Sequence, residues 1–170
     1  WAKVIWGDIC RPDLLAGDLK ENYNIDLGDL LNVRTFLDHN RIWENPKHPT
    51  PDRISLSTGA FAHRGQMIST RAVEDNLLEH LQKWAPYVQK FGLLLIELHT
   101  IAPGIAASNI EKTAATAYDA THGFSDQYIV EIDVFNKVAA EAGLYPDPKV
   151  FRQFPDSELA TVSINLLKGN

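Results

Sequence analysis

The sequence predicts an α/β domain built on a mostly parallel sheet, and three observations carry that expectation. Apolar runs of strand length alternate along the chain with segments of helical period. One of the runs, "LLLIELH" after Gly92, is almost unbroken in apolar character, as parallel strands buried on both faces are. The last run, "KVFRQFPDSELATVSINLLK", instead reads as two strands folded back around Pro155 and Asp156, which makes an antiparallel pair at one edge.

Taken in order, "AKVIWGD" is a short apolar run stopped by Gly7 and Asp8 and is expected to be a buried strand. "RPDLLAGDLKE" carries Pro12 at a helix start and Leu14, Leu15 and Leu19 at helical spacing, although Gly17 weakens it. "LLNVRTFLDHN" has Val33, Thr35 and Phe36 as strand formers, while Leu31 and Leu37 also suit a helix; it is taken as a strand running into a polar loop. Residues 41–70 look like an insertion: Pro46, Pro49 and Pro51 keep its first part irregular, and "RISLSTGAFAHRGQMIS" suggests a hairpin. From Arg71 to Lys90, Val73, Leu77, Leu81, Trp84 and Val88 form one apolar stripe of a long helix. Ser69 or Thr70 can cap its start, and Pro86 should kink or shorten it. His80 in this helix is read as a solvated position. "IEKTAATAYDATHGF" looks helical up to Gly123, and "DVFNKVAAEAGL" is a short helix with Asp133 as N-cap and Gly143 as its stop.

Composition narrows the function. Of 170 residues, 45% are hydrophobic, enough for the core of a single domain. The net charge of -6 disfavours a nucleic-acid surface, and no run of apolar residues is long enough to span a membrane. The single cysteine, Cys10, cannot form an internal disulfide, and nothing reads as a signal peptide, so a cytoplasmic setting is expected. Because the chain opens at Trp1 inside a presumed strand, it is expected to be a piece of a longer polypeptide.

The ending "AAEAGL" followed by "VFRQFPDSELATVSINLLK" resembles the last helix and terminal strand pair of class I S-adenosylmethionine-dependent methyltransferases. "VIWGDICRPDLL" resembles their third strand and its Gly-Asp-Ile segment, "LLNVRTFLDHNR" their fourth strand, and "GLLLIELHT" their fifth. The resemblance implies a Rossmann-like methyltransferase sheet lacking its first two strands, with the glycine-rich loop and the ribose-binding acid upstream of Trp1. It therefore implies a chain that depends on an N-terminal part of the same polypeptide for cofactor binding. "VRTFLDHNR", "IELHT" and "YDATHGFSDQYIVEIDVF" are further similar to the metal-dependent C-methyltransferase domains of polyketide synthase loading modules, which act on malonyl-type units held on an acyl carrier protein.

Site residues follow from that resemblance. Asp8 and Ile9 correspond to the adenine contacts, and Arg34 is placed with them among the cofactor-binding residues. His99 and Gln127 match the histidine and glutamine that hold a mononuclear iron or manganese, with Glu97 as a partner orienting His99 or as an ion-pair partner of Arg34. His122 competes with His99 for the metal-ligand role, and His39 and His122, with His99 beside them, are the candidate bases. Beside these roles stand plainer ones. His99 can simply bond a loop carbonyl, Asp8 can cap the following helix, Asp38 and His39 can be an ordinary loop pair, and Arg41 can meet a substrate carboxylate. Methylation of a small molecule at oxygen or nitrogen, or a structural role without catalysis, remain the alternatives.

Overall fold

The computed structural model describes residues 2–119 and 121–169, and at 122 and 123 it describes the backbone alone. Helix α1 (Pro12–Tyr23) leads through a short turn to strand β1 (Asn32–Thr35). A hairpin of β2 (Phe61–His63) and β3 (Gln66–Ile68) lies in the expected insertion and precedes α2 (Thr70–Trp84). Strand β4 (Leu93–Leu98), the short helices α3 (Pro103–Ser108), α4 (Ala115–Asp119) and α5 (His122–Ser125), and α6 (Ile132–Glu141) come next. Strands β5 (Leu144–Pro146), β6 (Arg152–Phe154) and β7 (Val162–Gly169) close the chain.

The main sheet runs β1-β4-β7-β5, with β6 also paired to β7. Only β1 and β4 are parallel, in the register Arg34↔Leu95; β7 runs antiparallel to β4, β5 and β6. The α/β class and the antiparallel ending agree with the sequence, but a mostly parallel sheet does not. The difference has a local cause. Residues 2–8 form no strand, with Val4 and Trp6 97% and 78% exposed. An apolar run becomes a strand only where a neighbour takes its N–H and C=O groups, and no described strand borders it. The β1–α2–β4 crossover is therefore the one parallel pairing in the described sheet.

The core forms where α2 and α6 cover one face of β4. Val73, Leu77, Leu81 and Trp84 meet Leu93 and Leu95 from one side, and Val134, Phe135 and Val138 complete the cluster. Full burial of each such side chain contributes roughly 1.5–3 kcal/mol. The opposite face of β4 is thinner: Leu94, Ile96 and Leu98 are only half-buried, so the strand alternates rather than being enclosed on both sides. Ser69 caps α2 by accepting a hydrogen bond from Ala72 N–H. As expected, the helix gives way at Pro86 to a short turn. Gly92 then admits the chain to β4 at a φ of 91°, where a Cβ would lie 2.8 Å from the Leu167 carbonyl oxygen. Asp133 lies in the first turn of α6 rather than capping it; Glu131 holds the cap position. No helix among the described residues is long and apolar enough to cross a membrane.

Candidate active site

Parallel strands end at the same rim, so the residues after β1 and β4 meet there. Phe36 N–H bonds the Ile96 carbonyl, and Phe36 then turns the chain at a φ of 55°, in the left-handed region. A single turn over Asp38–Asn40 follows, with Asp38 and His39 both buried.

Glu97, the penultimate residue of β4 and 1% exposed, receives this turn. Its Oε1 lies 2.5 Å from His39 Nδ1, and its Oε2 accepts from Asp38 N–H at 2.9 Å. A carboxylate can only accept, so it fixes the His39 proton on Nδ1 and leaves the lone pair on Nε2. Asn40 Nδ2 donates to that Nε2 at 3.0 Å, and Asn40 Oδ1 accepts from Gln127 Nε2 at 2.9 Å. Tyr128 N–H holds the His39 carbonyl from the other side.

Behind the pair lies a layer of charge. Asp38 Oδ1 is 2.8 Å from Arg34 NH2 and 2.9 Å from His80 Nε2. Burial opposes its charge, yet Arg34, His80 and Arg41 together hold its carboxyl down at about 2. Arg41 donates to Asn76, to the Asp38 carbonyl and to the Val73 carbonyl. Its burial lowers its pKa to about 10 against the opposing pull of Asp38 and Glu97. The Arg34 guanidinium stacks 4.4 Å from the Trp84 ring.

Asn40 also lines a cavity of about 330 Å³, together with Trp6, Gly7, Asp8, Ile9, Cys10, Leu37 and Ile42. Ile9, Leu37 and Ile42 offer apolar walls, and Asp8 offers a carboxylate whose Oδ1 already accepts from Cys10 N–H at 2.8 Å.

Asp8 and Ile9 line this cleft, whereas His39 is 5% exposed and reaches it only through its bond to cleft-lining Asn40; other expected residues lie apart from it. Arg34 is only 6% exposed and lines no described cavity; its charge serves Asp38 inside the fold, not a ligand. Arg41 is likewise enclosed and is not available to a substrate carboxylate. His99 is fully buried: Nδ1 meets the Val130 carbonyl, Nε2 the Ser163 hydroxyl, and Phe135 packs edge-on against the ring. Burial pushes its pKa down to about 4. Both of its nitrogens are engaged, while Gln127 is bonded to Asn40 and Ser125, so these two residues do not fit the expected metal set. Among the described residues no three His, Cys, Asp or Glu side chains gather as metal ligands. The side chain of His122 lies outside the described residues.

Two residues have other partners than the sequence suggests. Glu97, expected to orient His99 or to pair with Arg34, instead bonds His39 across the parallel register, which sets residues after Thr35 beside residues after Ile96. His80, expected in solvent, is 3% exposed. Its place three residues after Leu77 and four before Trp84, on the apolar stripe, was the available signal.

Residues 1–165 match the model of a methyltransferase family described as AprA MT2-like domain. No curated protein matches the chain.

Proposed function

The chain belongs to the AprA MT2-like family of methyltransferase domains, and on that premise we propose that it methylates the α-carbon of a malonyl-type acyl unit held on a carrier protein, with His39 as base. The observation that carries this reading is the His39–Glu97 pair, whose imidazole Nε2 is bonded to cleft-lining Asn40.

Family membership implies S-adenosylmethionine, which when bound supplies an electrophilic methyl group on a sulfonium. Ile9, Leu37 and Ile42 would flank its adenine, and Asp8 would take the exocyclic amine; the apolar walls and acidic rim of the cavity fit that group. A malonyl α-carbon is acidic enough to lose a proton to a positioned imidazole. In this reading Nε2 of His39 removes that proton, the C–H electron pair stays on the acceptor carbon and forms the new bond to the methyl, and the pair of the methyl's former bond to sulfur would be left on the thioether product. The proton remains on the imidazole, and the Glu97 carboxylate faces the resulting positive charge while holding the ring in one tautomer. The Asn40 amide yields Nε2 to the substrate in the same act. The enclosed His99 gives no reason to route a step through a metal.

The test is methyl transfer to a malonyl carrier acceptor by the native polypeptide that contains this chain. His39→Ala should lose about 10²- to 10⁴-fold in rate while still binding S-adenosylmethionine. An unchanged rate would remove His39 from the chemistry, and an O- or N-methylated product would reassign the acceptor.

A further inference from the structure

Asp38 sits directly before His39, has no exposed surface and is held through its N–H, its carbonyl and one carboxylate oxygen. Its N–H donates to Glu97 Oε2 at 2.9 Å. Its carbonyl accepts from Arg41 NH1 at 3.0 Å. Its carboxylate Oδ1 meets Arg34 of β1 at 2.8 Å and His80 of α2 at 2.9 Å. Three different elements, β1, β4 and α2, therefore hold this one residue as a unit.

That unit decides where the base points. Glu97 presents Oε1 to His39 and Oε2 to the Asp38 backbone, so consecutive residues pin both oxygens of one carboxylate. If the grip on Asp38 is released, the peptide before His39 can turn, and the carboxylate loses the bond on Oε2, keeping only Oε1 held by His39 and by Leu98 N–H. We propose that His80 and Asp38 are positioning residues for the His39–Glu97 pair, so that α2 sets the geometry of a site to which it gives no catalytic group. The inference rests on the reading of His39 as base. The acceptor role of the Asp38 carboxylate requires the proton of His80 on Nε2, just as Glu97 requires that of His39 on Nδ1.

The experiment compares His80→Leu, which removes the donor, with His80→Gln, which returns an amide N–H. It measures kcat and KM for methyl transfer together with the ¹⁵N NMR signals of His39 and His80. His80→Leu should lower kcat up to about 100-fold, with KM within about threefold, and His39 should lose its single Nδ1–H tautomer; His80→Gln should recover most of both. If His80→Leu does not fold, Asp38→Asn, which keeps the backbone N–H and the side-chain shape, should give the same split. Unchanged kcat and an unchanged His39 tautomer in either variant would overturn the proposal, provided that His39→Ala is inactive. An active His39→Ala would instead defeat the base reading beneath it. The wild-type spectrum is a check that needs no variant: His80 found as the Nδ1–H tautomer would also overturn the proposal.

Discussion

Helix α2 carries two buried charge clusters, and they differ in how fully their polar atoms are satisfied. On one side Arg53, from the insertion, meets Glu74, Asp75 and Glu141, and Thr50 takes part of its remaining capacity. All of its N–H groups find acceptors, and Glu74 also accepts from Ser55, Leu56 and Ser57. On the other side, Asn76 and His80 support the layer around Asp38. There, Arg34 Nε and NH1, Asp38 Oδ2 and His80 Nδ1 have no hydrogen-bond partner. Arg34 reaches Asp38 as an ion pair rather than an aligned hydrogen bond. The first cluster is a closed clasp that fastens the segment before the β2–β3 hairpin to α2 and α6. The second is less completely paired by protein groups among the described residues, and it lies directly behind the His39–Glu97 pair.

If the clasp is structural, breaking it should cost stability and leave the chemistry of the folded protein alone. Arg53→Met strands Glu74 and Asp75, whose side chains are at most 5% exposed. It should destabilise the fold by about 3–5 kcal/mol in denaturant unfolding, while methyl transfer by the fraction that stays folded is retained.

Acid should act on the other side of the molecule. His99 and His80 both take up a proton less readily when folded, His99 with its pKa down at about 4, because burial disfavours the cation. The unfolded chain binds those protons first. The stability they contribute is therefore complete above about pH 6.5 and drains away as the pH falls toward 4, by about 3 kcal/mol for His99. Asp38 acts in the same sense lower down: its share is present above about pH 4 and is lost on approach to about 2. Unfolding measured from pH 7 to 4 should show the decline, and His99→Gln should flatten it.

A smaller effect distinguishes the two ends of α2. Ser69→Ala removes the cap next to the turn that carries Glu74 and Asp75, far along the helix from His80. It should cost about 1 kcal/mol, with amide exchange rising around the clasp and not around Asp38.

What was legible in the sequence follows from what was local. The stripe Val73–Leu77–Leu81–Trp84, the Ser69 cap, the stop at Pro86, the hairpin in the insertion and the folded-back ending are all set by neighbours within a few residues, and all appear. The site depended on pairings across the chain. A segment-by-segment likeness puts Asp8 and Ile9 in the region where the structure has a cleft, without showing what the cleft holds. Along its own strand Glu97 is two residues from His99, but its histidine partner comes across the register from the turn after β1. The charges of Arg34 and Arg41 in the sequence carry no sign of the partners that bury them. His80 was missed for the complementary reason: the residues that cover it lie some forty positions earlier.

If Glu97 acts through His39, a double-mutant cycle of methyl-transfer rates over His39→Ala, Glu97→Gln and the two combined will show it. Glu97→Gln should slow the wild type strongly and the His39→Ala variant hardly at all, because a carboxylate that orients a base has nothing to do once the base is gone. Losses that simply multiply in the double variant would contradict it.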